Sequence, residues 1–332
     1  MCEVEKLNRI APHLTWVNNV CKEINISIIG EIRYIKEDKV FCKPSDSGDL
    51  YLKIVSVLDA NELMFTRKII EAGISNLPEV IAYEPALNTF LMWDMGGIDL
   101  ISLPNMNMKD LFDLFIALSQ TQKDSIPYVN SVSFYGYNYT IDEIINELKK
   151  FPHDVCSMLS GTQHEVTLDE KKKFMNNTEC ATKILKSISN IIPYTIHNSD
   201  LGTQNVRVVD GKYIFYDWAW GGVSHPFFSA SCLLNALKRK LPADIDAKEN
   251  IVDAYLREWA EYGHHETLKN IFIFIDSLIT LNVAFFLKYI RTRPLHFLLR
   301  EKADISHAEK LTLDERYKSF AFYLKRFIDK DF

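Results

Sequence analysis

The sequence predicts an α+β fold of two lobes, in which a small antiparallel sheet with one helix precedes a larger, mainly helical lobe. Segments rich in β-branched and aromatic residues occupy the first hundred residues, and helical periodicity dominates after Gly97. The pair Gly96 and Gly97 separates the two regions. Because glycine adopts backbone angles that other residues avoid, we expect a hinge there, with lobes at 1–95 and 96–332.

Composition and charge limit the class of partner. The 332 residues exceed one average domain, and 47% hydrophobic and 25% charged residues are ordinary for a soluble globular protein. The net charge of −6 gives no general attraction for nucleic acid or an anionic membrane, so we expect neither as a partner. Glu3 and Glu5 stand where a secretory signal needs basic residues, and the six cysteines lack disulfide-framework or zinc spacing. We expect a cytoplasmic location; the oligomeric state stays open.

Strands and one helix are predicted in the first lobe. The segments "GEIRYIKEDKVFCKP" and "DLYLKIV" are typical of strands, with the turn residues "SDSGD" between them. In "DANELMFTRKIIEAGI" the apolar residues recur at helical spacing, Asp59 can cap the start and Gly73 can end the helix. "LPEVIAYEPALNTFLMWDMGG" then predicts two short strands separated by "EPALN".

Helices are predicted for most of the second lobe. They cover 108–122, 140–151, 173–191 and most of 227–328, and the stretch 194–220 is the only strand-like interruption that we expect. The apolar segment 270–290 approaches membrane-spanning length. Asp276 and Asn282 lie inside it, however, so a buried core helix is predicted instead.

The stretch 194–220, "YTIHNSDLGTQNVRVVDGKYIFYDWAW", gathers polar residues around a predicted hairpin, whose turn is Asp210 and Gly211. A two-residue turn sets Asn205 opposite Tyr216, one position from Asp217, and a single bulge would set Asn205 and Asp217 directly opposite. Oxygen ligands without nearby cysteine or paired histidine favour Mg2+ over zinc. The alternative is a capping aspartate and a strand-edge asparagine.

These residues also resemble a known family. Asp200 to Asn205, the hairpin and "YDWAWGGVSHPFFS" resemble the H-x-D-x-x-x-x-N and I-D-W motifs of aminoglycoside phosphotransferase and choline kinase-like enzymes, whose fold is protein-kinase-like. Upstream, "GDLYLKIV" resembles the strand with the nucleotide-binding lysine and "ANELMFTRKI" the helix with its glutamate partner. "FLMWDMGG" resembles the hinge, so the likeness spans residues 27–235.

The resemblance implies an ATP- and Mg2+-dependent phosphotransferase that acts on a hydroxyl group of a small molecule such as an aminoglycoside, an amino alcohol or a sugar. Asp200 would orient the acceptor hydroxyl and take its proton. Asn205 and Asp217 would hold the Mg2+ ions that bridge the ATP phosphates. Lys53 would contact the α and β phosphates, steadied by Glu62.

The resemblance also implies the position of the base. Met92 would lie behind the adenine, and the backbone carbonyl of Trp93 and amide of Met95 would pair with its edge. Trp93 either stacks on the base or is a core aromatic residue. Lys53 could also be a solvated lysine at a strand end, but it shares a strand face with Tyr51, which favours the nucleotide role.

Three positions depart from the family pattern. Asn198 stands where the family has its motif histidine, and His197 comes one residue early, so either the loop has an insertion or the supporting role has passed to asparagine. Gly202 stands where relatives often carry histidine. The segment "KEDKV", 36–40, would cover the phosphates but has no glycine and two acids.

These departures leave a second function open, a kinase-fold module that binds nucleotide without turnover. A protein kinase is a weaker alternative because no A-P-E-like segment follows "DWAW", and a hydrolase is excluded by the lack of a G-x-S-x-G motif.

Overall fold

A computed structural model of the chain confirms the α+β fold with two lobes, an antiparallel five-stranded sheet in the first and mostly helices in the second. The structure describes residues 3–29, 33–36, 39–42, 47–55, 60–103, 106–238, 241, 246–292 and 313–330. The expected cap Asp59 and the two acids of the phosphate-covering segment, Glu37 and Asp38, lie outside the described residues.

The described residues of the first lobe form two α-helices, where one was predicted. Its elements are α1 (Glu3–Glu23), β1 (Arg33–Lys36), β2 (Lys39–Cys42), β3 (Leu50–Ile54), α2 (Ala60–Glu71), β4 (Val80–Glu84) and β5 (Thr89–Trp93), with sheet order β1-β2-β3-β5-β4. The expectation of a single helix is wrong because α1 also forms. Pro12 inside α1 is a sequence signal against a helix. Burial of Ile10, Val17 and Cys21 against the sheet outweighs that signal.

The faces of β3 and the end of α2 follow the sequence pattern. Leu52 packs with α1, while Tyr51 packs on the opposite face in a cluster with Leu63 of α2. Phe65, in the middle of α2, is fully buried. Gly73 has a φ of 71° and ends the helix as predicted.

The second lobe contains the predicted helices and one short helix, over residues 129–132, that was not predicted. They are α3 (Met108–Ser125), α4 (Val129–Val132), α5 (Ile141–Leu159), α6 (Leu168–Ile188), α7 (Pro226–Leu237), α8 (Ala247–Arg257), α9 (His265–Thr292) and α10 (Leu313–Ile328). The long apolar segment lies in α9, where Phe272, Ile275 and Leu278 are buried in the core. Among the described residues, no helix combines the length and the apolar character that a membrane crossing needs.

Two small sheets interrupt these helices. Their strands are β6 (Ile98–Asp99), β7 (Tyr137–Tyr139), β8 (Thr195–Asn198), β9 (Val206–Val209), β10 (Lys212–Phe215) and β11 (Gly221–Ser224), in the orders β10-β9-β6 and β7-β11-β8. The expectation that 194–220 is the only strand-like interruption is therefore wrong. The missed strands β6, β7 and β11 have two to four residues and pair with distant segments, so they are too short for a periodic pattern.

The hairpin of β9 and β10 forms as predicted. Asp210 and Gly211 have φ values of 48° and 76°, the left-handed pair that a two-residue hairpin turn needs. The backbone N–H of Tyr216 donates to the carbonyl oxygen of Asn205 at 3.1 Å. The regular register therefore applies, and Asn205 lies opposite Tyr216 without a bulge.

The double glycine is held against this hairpin. Gly96 and Gly97 have φ values of 64° and 67°, which agrees with the expected unusual backbone. A Cβ atom on Gly97 would lie 2.0 Å from the carbonyl oxygen of Val208. The next residues form β6, which pairs with β9. The hinge backbone thus rests directly on the hairpin, and the lobe boundary at 95/96 remains our proposal.

We predict that Gly97→Ala destabilises the protein more than Gly96→Ala. Both changes place a Cβ at positive φ, which costs about 1–2 kcal/mol. Gly96 has open space around that position, whereas at Gly97 the backbone of Val208 blocks it, which adds about 1–3 kcal/mol. The midpoint of urea unfolding measures the difference. Equal losses in the two variants would contradict the close contact at Gly97.

Candidate active site

A buried lysine joins two carboxylates across the lobes. The Nζ of Lys53 donates to Glu62 and also to Oδ1 of Asp217, the latter at 2.9 Å. Burial by itself would lower the pKa of Lys53, but the charges of Asp217 and Glu62 outweigh burial and raise this pKa well above its usual value. The ammonium group therefore stays charged and links β3, α2 and the segment after β10.

Packing of Phe65 brings α2 to this position. Phe65 lies one turn after Glu62, and its ring centroid is 6.1 Å from that of Trp218. Added Cβ atoms on Gly136 and Gly221 would each lie 2.5 Å from the Phe65 ring. The ring thus contacts a surface that only glycines leave free, and this contact docks α2 on the second lobe.

Asp217 has an unusual backbone conformation. Its φ is 59°, in the left-handed region that aspartate enters more easily than most residues. The carbonyl oxygen of Asp217 accepts a hydrogen bond from Nδ2 of Asn198 at 2.9 Å. The next residue, Trp218, is buried and donates from Nε1 to the carbonyl oxygen of Phe215 at 3.1 Å. These bonds on both sides of the Asp217 side chain maintain the strained backbone.

Asn198 connects the two acidic segments. Its Oδ1 accepts from the backbone N–H of Asp200 at 3.0 Å, while its Nδ2 holds the carbonyl of Asp217. His197 instead points away, with Nδ1 2.7 Å from Oγ of Ser229, and burial lowers its pKa to about 3, so it is neutral. This geometry corresponds to the alternative in which the supporting role has passed to Asn198.

Asp200 and Asn205 lie together in the loop between β8 and β9. Nδ2 of Asn205 donates to the carbonyl oxygen of Asp200 at 2.8 Å and to its Oδ2 at 3.3 Å. Loss of surrounding water and, next, the charge of Asp217 raise the pKa of Asp200, the bond from Asn205 lowers it, and the net value is about 6. Asp200 is an exposed residue, so a substrate can reach it.

The donor set near Asp217 fits a hard cation. Asp217 contributes a carboxylate and Asn205 an amide oxygen, and Mg2+ is commonly bound by one or two carboxylates with phosphate and water. In the described part of the chain, no group of three or more His, Cys, Asp or Glu residues could hold a metal. The site therefore suits an ion that arrives with phosphate groups rather than one in a protein-only cage.

The predicted hinge residues separate onto two faces. Met92 is buried in the first-lobe cluster with Val55, Leu63 and Phe90. Trp93 packs on the opposite face, against the cluster that includes α1, which corresponds to the core alternative for this residue. Met95 follows in the hinge and is half-buried. The hydrogen bonds of a base to Trp93 and Met95 remain predictions.

Three polar residues near the hinge were missed by the sequence analysis. Arg207 donates from Nε to the carbonyl oxygen of Gly96 and from Nη1 to Oδ1 of Asp99 at 3.1 Å. The hydroxyl of Tyr216 donates to the same Oδ1 at 3.0 Å and to the carbonyl oxygen of Gln204 at 2.5 Å. The available signal was the alternation of polar and apolar residues over 205–208, the sequence "NVRV".

Comparison with known proteins shows the fold. No family model and no curated protein matches the chain. Solved structures do match, among them a putative aminoglycoside phosphotransferase from Ralstonia eutropha, with 12% identity, a TM-score of 0.58 and coverage of 92% of each chain. Amicoumacin kinase hAmiN in complex with AMP-PNP, Ca2+ and Ami has 12% identity and a TM-score of 0.56, covering 99% of this chain and 96% of that one.

A third similar structure is the choline kinase LicA from Streptococcus pneumoniae, with 9% identity, a TM-score of 0.54 and coverage of 96% of this chain and 100% of that one. At these identities the likeness concerns the fold. The chain therefore has the kinase-like fold that the sequence predicted.

We predict that Asp200→Asn raises the melting temperature at pH 8 in metal-free buffer. The folded-state pKa of Asp200 is raised to about 6, so the folded state loses stability as pH rises from about 4 to 6, and this cost is fully present above pH 6. The amide carries no charge and removes the cost. Differential scanning fluorimetry should show this gain at pH 8 and none below pH 4. An unchanged or lower melting temperature at pH 8 would contradict the raised pKa of Asp200, which comes first from loss of water and then from the charge of Asp217.

Proposed function

We propose that the protein is an ATP- and Mg2+-dependent phosphotransferase that moves the γ-phosphate of ATP to a hydroxyl group of a small molecule. One observation carries this proposal: Lys53 bridges Glu62 and Asp217, while Asn198 ties Asp217 to the backbone of Asp200. Hydrogen bonds thus connect an ammonium group, a carboxylate suited to Mg2+ and a carboxylate with a raised pKa. Phosphoryl transfer needs such a combination because its transition state is highly charged.

The similar structures support the reaction class. Two of them are named as kinases and one as a putative phosphotransferase, and hAmiN was solved with AMP-PNP. The acceptors in their names differ, which supports a small-molecule acceptor without identifying it. For this chain we propose an aminoglycoside, an amino alcohol or a sugar, and we propose that it acts in the cytoplasm without a nucleic-acid or membrane partner.

Each residue has a distinct part in the proposed reaction. Lys53 binds the α and β phosphates, and Glu62 keeps its ammonium group in place. Asn205 and Asp217 hold Mg2+, which when bound neutralises charge on the phosphate oxygens. Asp200, roughly nine-tenths ionised at pH 7 given its pKa of about 6, orients the acceptor hydroxyl and takes its proton.

We predict that the purified protein releases ADP from ATP and Mg2+ with at least one acceptor in a panel of aminoglycosides, amino alcohols and sugars. Asp200→Asn should lower the rate by roughly 100-fold or more but keep nucleotide binding, because it removes the base alone. Asp217→Ala should abolish Mg2+-dependent nucleotide binding. If Asp200→Asn turns over like the wild type, Asp200 is not the base. A thermal shift with ATP and Mg2+ but no ADP release across the panel would favour the nucleotide-binding module.

We also predict a pH dependence of the acceptor kcat/KM. The base must be ionised, and the pKa of Asp200 is raised to about 6, so kcat/KM should fall about tenfold per pH unit below pH 6 and level off above pH 7. Initial rates from pH 5 to 8 at low acceptor concentration measure this. A flat profile across that range would exclude Asp200 as the titrating group.

A further inference from the structure

The hairpin carries further side chains beside Asn205 and Asp217, the proposed Mg2+ ligands. Val206 and Phe215 are buried in the second-lobe core, whereas Arg207 and Tyr216 are half-buried. Residues two apart on a strand share a face, and so do residues directly opposite on paired strands. Arg207 therefore lies on the strand face opposite to that of Val206 and Phe215, while Asn205 and Tyr216, joined by a backbone hydrogen bond, directly adjoin the two strands.

Contacts to the hinge fix Arg207 along this face. Its Nε reaches the carbonyl oxygen of Gly96, and its Nη1 reaches Oδ1 of Asp99 at 3.1 Å. Asp99 pairs with Arg207 in the β6–β9 register and also accepts the hydroxyl of Tyr216 at 3.0 Å. The guanidinium group thus lies directly against the hinge, on a residue two positions after Asn205.

The position of Arg207 places it next to the expected path of the bound nucleoside. This inference rests on the proposed function, in which the phosphates lie at Lys53, Asn205 and Asp217, and on the implied pairing of the base with the hinge backbone at Trp93 and Met95. The nucleoside must then extend from the hinge to the phosphate-binding residues, and its path runs next to β9, the strand that carries Arg207. Arg207 follows Asn205 by two residues on β9, and its guanidinium group contacts the hinge at Gly96.

A guanidinium group that is fixed by hydrogen bonds, as that of Arg207 is, suits a nucleoside-binding site. Within the described residues, hydrogen bonds engage two of the five N–H donors of Arg207. Asp99 and Gly96 hold the planar group in one orientation, so little side-chain entropy is lost when a ligand binds. A planar guanidinium group stacks on aromatic rings, and purine bases offer such a face.

We propose that Arg207 forms the floor of the nucleoside site and stacks its guanidinium group on the purine base of the bound nucleotide. Arg207 is then a nucleotide-binding residue in addition to Lys53. The competing explanation is that Arg207 acts only as a clamp that holds the hinge on the hairpin.

The test is the affinity for Mg·ADP, measured by calorimetry on the full chain. Arg207→Met should weaken binding roughly 3- to 30-fold, since it removes the charged plane but keeps an unbranched side chain. Arg207→Lys should also weaken binding, because lysine keeps the charge but has no plane to stack. Arg257→Met, at the exposed end of α8, is the matched control and should bind like the wild type.

Tyr216→Phe separates stacking from clamping. It removes the hydroxyl bonds to Asp99 and Gln204 but keeps the guanidinium group, so it should weaken Mg·ADP binding less than Arg207→Met does. In turnover, Arg207→Met should raise the KM for ATP more than it lowers kcat. Melting curves without nucleotide check that each variant is folded.

Three results would overturn the role of Arg207: wild-type affinity in Arg207→Met, wild-type affinity in Arg207→Lys, or an equal loss in Tyr216→Phe. The first two would exclude stacking, and the third would assign the effect to the clamp. Failure of the proposed function looks different, because the wild type itself would then not bind Mg·ADP.

Discussion

The site depends on one buried ammonium group shared by two carboxylates from different lobes. Removing Lys53, Glu62 and Asp217 from water is costly, and the cost is offset only while all three charges stay within bonding distance. Loss of any one partner would leave an uncompensated charge in a poorly solvated place. The positions of β3, α2 and the segment after β10 are therefore coupled, and the ring of Phe65 against two glycines makes the approach of α2 possible.

A neutral amide supports the acidic residues. Asn198 offers an acceptor to the backbone of Asp200 and a donor to the carbonyl of Asp217, the two bonds that the segments need. A histidine there would bring a group that titrates near neutral pH. With asparagine, and with His197 kept neutral by burial, Asp200 is the group at this site whose pKa of about 6 lies close to the physiological range. The departure from the family pattern thus leaves the local connection intact.

The sequence predictions are correct for elements that depend on residues close in the chain and wrong for elements that depend on distant partners. The Asp210–Gly211 turn, the end of α2 at Gly73 and the long helices of the second lobe depend on residues close in the chain, and they form as predicted. Helix α1 was missed because its stability comes from burial against the sheet. Strands β7 and β11 were missed because each gains its hydrogen bonds from a partner far along the chain.

The sequence by itself determined which residues could carry the chemistry, because Lys53, Asp200, Asn205 and Asp217 lie in local patterns with recognisable spacing. It also determined the position of the hairpin turn at Asp210 and Gly211, whereas the structure decided for the regular register over a bulge. Only the tertiary structure decided that Trp93 packs toward α1, that Asn198 rather than His197 contacts the acidic segments, and that Arg207 meets the hinge. These contacts join residues far apart in the chain, and long-range packing and electrostatics leave no mark in local sequence spacing.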